Sequence, residues 1–350
     1  MNDWFRALQT GDRTALKKAV RLGVFLILAG ILGNIIFSLV TTDRSIVESL
    51  QAFKPQYLAL AMGLALLPWF TNTWRVLIWT RFLGFRCSFR DIFKIVISTD
   101  LGSAISPTAV GGGYVKAGML MQQGLSAGAS ASLMALGSVE DGLFFLIAIP
   151  LSIMISQCWN MPEVQLIVEK FQHNMLIVSV VVAIIMVTIF LYRFLRKRQS
   201  SAKPSERQPL RGKVKRAISQ AISDFVRVYA LIGKEGKSRF ALTMALTSLQ
   251  WMARYSILTA MLMSFGIRVD PILFFLFQWI TFTLMTFIPT PGAVAGAETT
   301  FYFVYTHFIP KDVMGLMTSG WRFMTFYFHI LIAIVILAIF LISDMRSKSA

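Results

Sequence analysis

Ionisable side chains lodged in long apolar runs are the residues of this sequence that could do chemistry. Arg254 falls in the middle of the run 240–265, and Glu140 with Asp141 in the middle of 127–155. Asp100 and Glu298 sit in two further segments that glycine and proline interrupt, and Lys116 follows a glycine triplet. A charge at the centre of a bilayer costs about 2.5–3.5 kcal/mol even on the lenient insertion scale, so each of these needs a reason to be there. Arginine and lysine in such a place can hold an anionic group, and carboxylates can neutralise those cations or carry protons. Structural ion pairs and the walls of a polar pathway are both open readings. Arg75 and Arg322, about two turns from the ends of their runs, either snorkel or line that path.

Other chemistries find no support in the pattern. The chain has two cysteines, Cys87 and Cys158, at opposite ends of different apolar runs, and three histidines without metal-ligand spacing. His329 lies among aromatic residues, where a packed and hydrogen-bonded role is the ordinary one. No nucleophile elbow, phosphate loop or paired-cysteine motif occurs, so no enzyme site, metal or cofactor is expected.

The elements that must position these charges are set by composition. Of the 350 residues 56% are apolar and 15% charged, with a mean hydropathy of +0.65. A soluble domain keeps about a quarter of its residues charged. Runs at 20–40, 57–83, 127–155, 175–195, 240–265 and 316–342 each reach the roughly 20 residues that cross a bilayer as helix. The expected fold is therefore all-α integral membrane, with six full transmembrane helices. Thirty-four Lys and Arg against seventeen Asp and Glu would suit nucleic acid in a soluble protein, but here they cluster before the first run, after the second and across 193–216. The positive-inside rule places those clusters and both termini in the cytoplasm, and no nucleic-acid partner is expected.

Two segments resist assignment as single spans. Pro107 and Gly111, Gly112 and Gly113 break 90–122, and Pro289, Pro291, Gly292 and Gly296 break 271–308. Each is expected to be a re-entrant helical hairpin, which also keeps the basic stretch 193–216 on the cytoplasmic side. A shift of 182 residues brings Trp69 onto Trp251, Gly84 onto Gly266, Arg86 onto Arg268 and Pro107 onto Pro289. The expected plan is an inverted-topology repeat. Its parts are an N-terminal membrane half at 1–195, a basic linker with an amphipathic helix at 196–236, and a C-terminal half at 237–350. Under the same shift Lys116 meets Glu298 and Glu140 meets Arg322, so the halves carry opposite charges at matching places.

At these residues the chain resembles a known family. Ser106-Pro107-Thr108-Ala109-Val110-Gly111-Gly112-Gly113-Tyr114-Val115-Lys116, with Asp141, resembles its first motif, and Phe287 to Glu298, with Arg322, its second. The family is the lysylphosphatidylglycerol synthase transmembrane, or flippase-like, family. Ser138 stands where that family usually has arginine, and Ala293-Val294-Ala295 where it often has a glycine pair. With no soluble synthase domain in the sequence, lysyl transfer is not expected. The resemblance implies movement of an anionic or polyprenyl-type lipid between leaflets of a bacterial cytoplasmic membrane. Lys116, Arg254 and Arg322 are then expected to hold the headgroup, near backbone at Pro107, Gly112, Gly113, Pro289 and Gly292. Asp100, Glu140, Asp141 and Glu298 pair with those cations or couple to protons. Membrane lipids are the expected partners, and a homo-oligomer is left open. An ion-coupled exporter of a small polar solute, or an accessory subunit of a lipid-linked glycosyltransferase, are the alternatives.

Overall fold

The computed structural model describes residues 54–104, 106, 110–162, 165, 232–288 and 296–349. The expected spans at 20–40 and 175–195, nearly all of the linker, and Pro107, Pro289 and Gly292 lie outside them. The described chain is helical. In order, α1 is Pro55–Phe82, α2 Phe89–Ala104, α3 Val110–Gln122, α4 Ala127–Ser156, α5 Lys237–Ser264, α6 Pro271–Met285, α7 Gly296–Tyr305, α8 Lys311–Arg322 and α9 Phe328–Ser349. A π-helical turn, Phe323–Tyr327, joins α8 to α9, an irregularity the run 316–342 did not announce.

Helix ends follow local chemistry. Pro55 and Pro271 occupy the first turns of α1 and α6, where a missing N–H costs nothing. Ser126 accepts from Ala129 N at 3.1 Å to start α4, and Asp270 accepts from Ile272 N at 2.8 Å to start α6. Two helices end in the same way in the two halves. After α1, Gly84 takes φ +85° and Phe85 N donates to Thr80 O at 3.0 Å; after α5, Gly266 takes φ +74° and Ile267 N donates to Leu262 O at 3.0 Å. A left-handed residue with that backbone bond is what satisfies the terminal carbonyls, and glycine is the residue that adopts it without strain.

The repeat is visible in the elements themselves. A shift of 182 carries α1 onto 237–264, the bounds of α5, and α2 onto 271–286, within one residue of α6. α1 and α5 pack along their length in opposite directions. Lys54 N, just before α1, donates to Ser264 O at 2.7 Å, while the Arg239 guanidinium near the start of α5 stands 4.6 Å from the Phe82 ring at the end of α1. Two buried apolar clusters flank this pair. One gathers α6, α7 and α8 with the start of α1, and the other α2, α3 and α4 with its end.

Each interrupted segment is a pair of helices in contact, α2 with α3 and α6 with α7. Glycine sets the spacing of the first. A Cβ on Gly112 would fall 2.6 Å from Thr99 O and into the Ser103 hydroxyl, and one on Gly111 would fall 2.6 Å from Gly102 O. Among the described residues, Ala127–Ser156 and Lys311–Ser343 are long and apolar enough to cross a membrane.

Candidate functional site

Arg75, on α1, is the hub of a buried network. Its side chain is 6% exposed, with Nε 2.7 Å from Glu140 Oε2 and Nη1 2.9 Å from Asp141 Oδ1. Nη2 donates to Gly137 O at 2.7 Å. Gly137 is what lets the guanidinium approach, since a Cβ there would stand 3.0 Å from Nη2. The second oxygen of Glu140 accepts from Trp79 Nε1 at 2.9 Å and Thr243 Oγ1 at 2.5 Å, and Asp141 Oδ1 also accepts from Trp251 Nε1 at 3.0 Å. A charge taken out of water is tolerated when it is both paired and hydrogen-bonded, and Glu140 meets both conditions.

The network faces a small cavity of about 290 Å³ whose walls include Asn72, Lys116, Ser138, Asp141 and Gln250. Gln250 Oε1 is buried there without a hydrogen-bond partner among the described residues. Arg75, Glu140 and Asp141 together carry one negative charge, and Lys116 across the cavity brings the sum to zero.

A larger cavity of about 430 Å³ lies on the other side of Trp251, whose ring lines it while its Nε1 reaches Asp141. Its charged walls are Asp100, Arg254 and Arg322, beside His329 and the rings of Phe145, Tyr255, Trp279, Phe282 and Phe326. Repeat-related residues line it together: Asp100 with Phe282, Leu101 with Thr283, Ser103 with Met285, Ala104 with Thr286. Matching positions of the two halves therefore meet in this cavity, between the ends of α2 and α6. Asp100 Oδ2 accepts from Trp69 Nε1 at 2.6 Å, the counterpart of the Trp251 bond to Asp141. The Arg254 guanidinium lies 5.3 Å from the Phe282 ring and 5.7 Å from Trp251. Arg322, 1% exposed, has its Nε 3.5 Å from Glu298 Oε1 and its guanidinium 4.3 Å from the Phe326 ring. A buried cation over aromatic faces is held by the ring quadrupoles without losing its charge.

The residues expected from sequence thus divide between two cavities. Lys116 and Asp141 line the small one with Glu140 beside them; Asp100, Arg254 and Arg322 line the large one with Glu298 behind Arg322. Gly112 is spent on packing α3 against α2, and a Cβ on Gly113 would stand 3.4 Å from Met134 Cε. Pairing of Arg254 with Glu140 or Asp141 is corrected: Arg75 takes both carboxylates, and Arg254 makes no ion pair among the described residues. Neither Arg75 nor Arg322 snorkels, since both side chains are buried against acidic partners. Sequence reasoning missed His329 as a cavity residue and the tryptophan donors to the carboxylates. The recurrence of Trp69 as Trp251 was the available signal for the latter.

A helical repeat with charged groups gathered inside apolar walls defines a multi-pass membrane protein. The chain belongs to the family described as lysylphosphatidylglycerol synthase TM region, whose model matches residues 20–333. It is also 22% identical over 275 residues to a UPF0104 membrane protein of Archaeoglobus fulgidus, covering 75% of this chain and 80% of that one.

Proposed function

We propose that this protein carries a lipid between the two leaflets of the cytoplasmic membrane, without a chemical step of its own. The carrying observation is the 430 Å³ cavity where matching positions of the two halves meet, lined by two arginines and one aspartate inside an aromatic wall. Guanidinium groups match a phosphate in charge and in fork geometry, and the rings suit the first carbons of an acyl or polyprenyl chain. The lipid class is therefore anionic or polyprenyl-phosphate-like.

In the same reading six helices span the bilayer and two hairpins dip into it from opposite faces, with both termini in the cytoplasm. The helices of the hairpins support it, being 16, 13, 15 and 10 residues long against the roughly 20 that a crossing needs. Antiparallel α1 and α5 support an inverted repeat, in which rocking of one half against the other would expose the larger cavity to each side in turn. Lys116, with Asp141 across the small cavity, supplies a second polar station along the route.

The test is reconstitution. Vesicles holding the protein and a fluorescent phospholipid should lose the protected, inner-leaflet signal to dithionite faster than protein-free vesicles. Arg254→Ala should slow that exchange about tenfold or more, because a charge-assisted contact to phosphate is lost. No acceleration with any anionic or polyprenyl lipid would reject the reading.

A further inference from the structure

The tryptophans that the repeat relates have already spent their indole N–H groups, Trp69 on Asp100 at 2.6 Å and Trp251 on Asp141 at 3.0 Å. Trp79 and Trp321 are committed in the same way, to Glu140 at 2.9 Å and to Gln278 at 3.0 Å. Trp279 differs. It lines the larger cavity, and its N–H meets no acceptor among the described residues. Tyr255 lines the same cavity and shares that condition: the residue is 2% exposed, yet its hydroxyl has no partner among the described residues and is not sealed in protein as the Tyr327 hydroxyl is. A donor taken out of bulk water costs free energy until an acceptor reaches it, so the occupant of the cavity has to supply one.

Helical spacing brings these donors to Arg254. Trp251, Arg254 and Tyr255 fall on one face of α5, Trp279, Phe282, Thr283 and Thr286 on one face of α6, and both faces line the cavity. Phe282 joins them, its ring stacked on Tyr255 at 5.5 Å between centroids and lying 5.3 Å from the Arg254 guanidinium. Arg254 makes no hydrogen bond or ion pair among the described residues, whereas Arg322 lies against Glu298 and the Phe326 ring. Thr283 and Thr286 are exposed, so this wall is reached from outside the protein. The step that follows rests on the reading of the cavity as a headgroup site, and names the part of it that holds the phosphate. One uncommitted cation with two neutral donors suits a group that carries a single negative charge and more than one free oxygen, which a membrane lipid offers as its phosphodiester. We propose that the Arg254 guanidinium, the Tyr255 hydroxyl and the Trp279 N–H together form the seat of the lipid phosphodiester.

Tyr255→Phe and Trp279→Phe test the two neutral donors. The first keeps the ring against Phe282 and Phe275 and deletes only the hydroxyl; the second keeps an aromatic ring and deletes the N–H. The probe is dihexanoylphosphatidylglycerol, titrated calorimetrically into the purified full chain in detergent micelles, with dihexanoylglycerol as the ligand that lacks the phosphate. Each variant should bind the phospholipid at least about fivefold more weakly, because a hydrogen bond to a charged oxygen is lost. Binding of dihexanoylglycerol should not change. Tyr255→Phe should also leave the denaturation midpoint where it was, since its hydroxyl holds nothing in the protein. Tyr305→Phe is the structural contrast: its hydroxyl accepts from Gln278 at 2.7 Å, so it should lower the midpoint and leave phospholipid affinity alone. Unchanged phospholipid affinity in either cavity variant would mean that water satisfies that donor, and would overturn the seat. So would equal weakening toward dihexanoylglycerol, or a parent protein that binds no phosphatidylglycerol. Dithionite exchange in vesicles is read separately: seat variants that lose affinity as expected, in a protein that accelerates no lipid, would reject transport and leave the seat standing.

Discussion

Arg75→Ala is the perturbation whose cost the structure sets most directly. The change deletes three contacts at once: Nε to Glu140 at 2.7 Å, Nη1 to Asp141 at 2.9 Å and Nη2 to Gly137 O at 2.7 Å. Glu140, 1% exposed, keeps its bonds from Trp79 and Thr243 but loses its only ion-pair partner among the described residues. Removing one member of a buried pair costs about 3–5 kcal/mol, mostly the penalty of the charge left behind. Glu140→Gln keeps an acceptor for Trp79 and Thr243 but turns an amide donor toward Arg75 Nε, at a cost of about 2–4 kcal/mol. The double variant leaves neither charge stranded at that contact, so its cost should fall short of the sum by about 1–3 kcal/mol. The assay is reversible denaturation of purified protein in detergent micelles, followed by tryptophan fluorescence. Arg254→Ala is the control. It breaks no ion pair among the described residues, and should stay within about 1 kcal/mol of the parent even as exchange slows. Additive losses for Arg75 and Glu140, or an Arg75→Ala cost under about 1 kcal/mol, would refute the network as the anchor of α1 to α4.

Three further outcomes follow from other parts of the fold. Gly84→Ala and Gly266→Ala should each cost about 1 kcal/mol in the same denaturation assay, since φ of +85° and +74° strains any Cβ. Gly112→Val should cost more, about 1–3 kcal/mol or loss of folded yield, because Thr99 O stands 2.6 Å from where even a Cβ would lie, whereas Gly113→Ala, 3.4 Å from a flexible methionine methyl, should be near neutral. Single cysteines at Ser205 and Gln172 should react with impermeant reagents from opposite sides of the membrane, cytoplasmic and external, and reaction of both from one side would reject the six-span arrangement.

Helices were legible where periodicity does not matter and length does. The runs 57–83 and 127–155 differ from α1 and α4 by no more than two residues at either end, because an apolar segment of that length has little alternative to a helix. Pro107 likewise falls where α2 has ended before α3 begins, and Pro289, Pro291 and Gly292 where α6 has ended before α7 begins. The π-helical turn at Phe323–Tyr327 was hidden, since nothing in Phe-Met-Thr-Phe-Tyr distinguishes one extra residue per turn from an ordinary helix. In the site, the identity of the charges was legible and their pairing was not. Arg254 and Arg75 lie on two helices that both contact α4, and which guanidinium meets Glu140 depends on rotation about the helix axis. Gly137 on α4 decides it by opening space for Arg75 alone, a cue that reads in the sequence as one more small residue in a membrane helix.

That same pairing explains how two halves whose first helices share their bounds can hold two unlike cavities. The shift of 182 sets Glu140 on Arg322 and Lys116 on Glu298, so each half has one charge on α3 or α7 and an opposite one on the helix that follows, α4 or α8. In the second half the two meet, Glu298 at 3.5 Å from Arg322. In the first half Glu140 is claimed by Arg75, whose counterpart is the buried Ile257, and Lys116 is left on a cavity wall with no ion pair among the described residues. One arginine on α1 therefore converts what would have been a second internal pair into a lysine facing polar space. Arg75, with no arginine at the matching place in the second half, is what makes the two cavities chemically different. On the route proposed above, a lipid headgroup would meet Arg254 and Arg322 in the larger cavity and Lys116 in the smaller one, two unequal sites. Binding at either of them shifts the balance between two conformations only to the extent that the headgroup is held more tightly in one conformation than in the other.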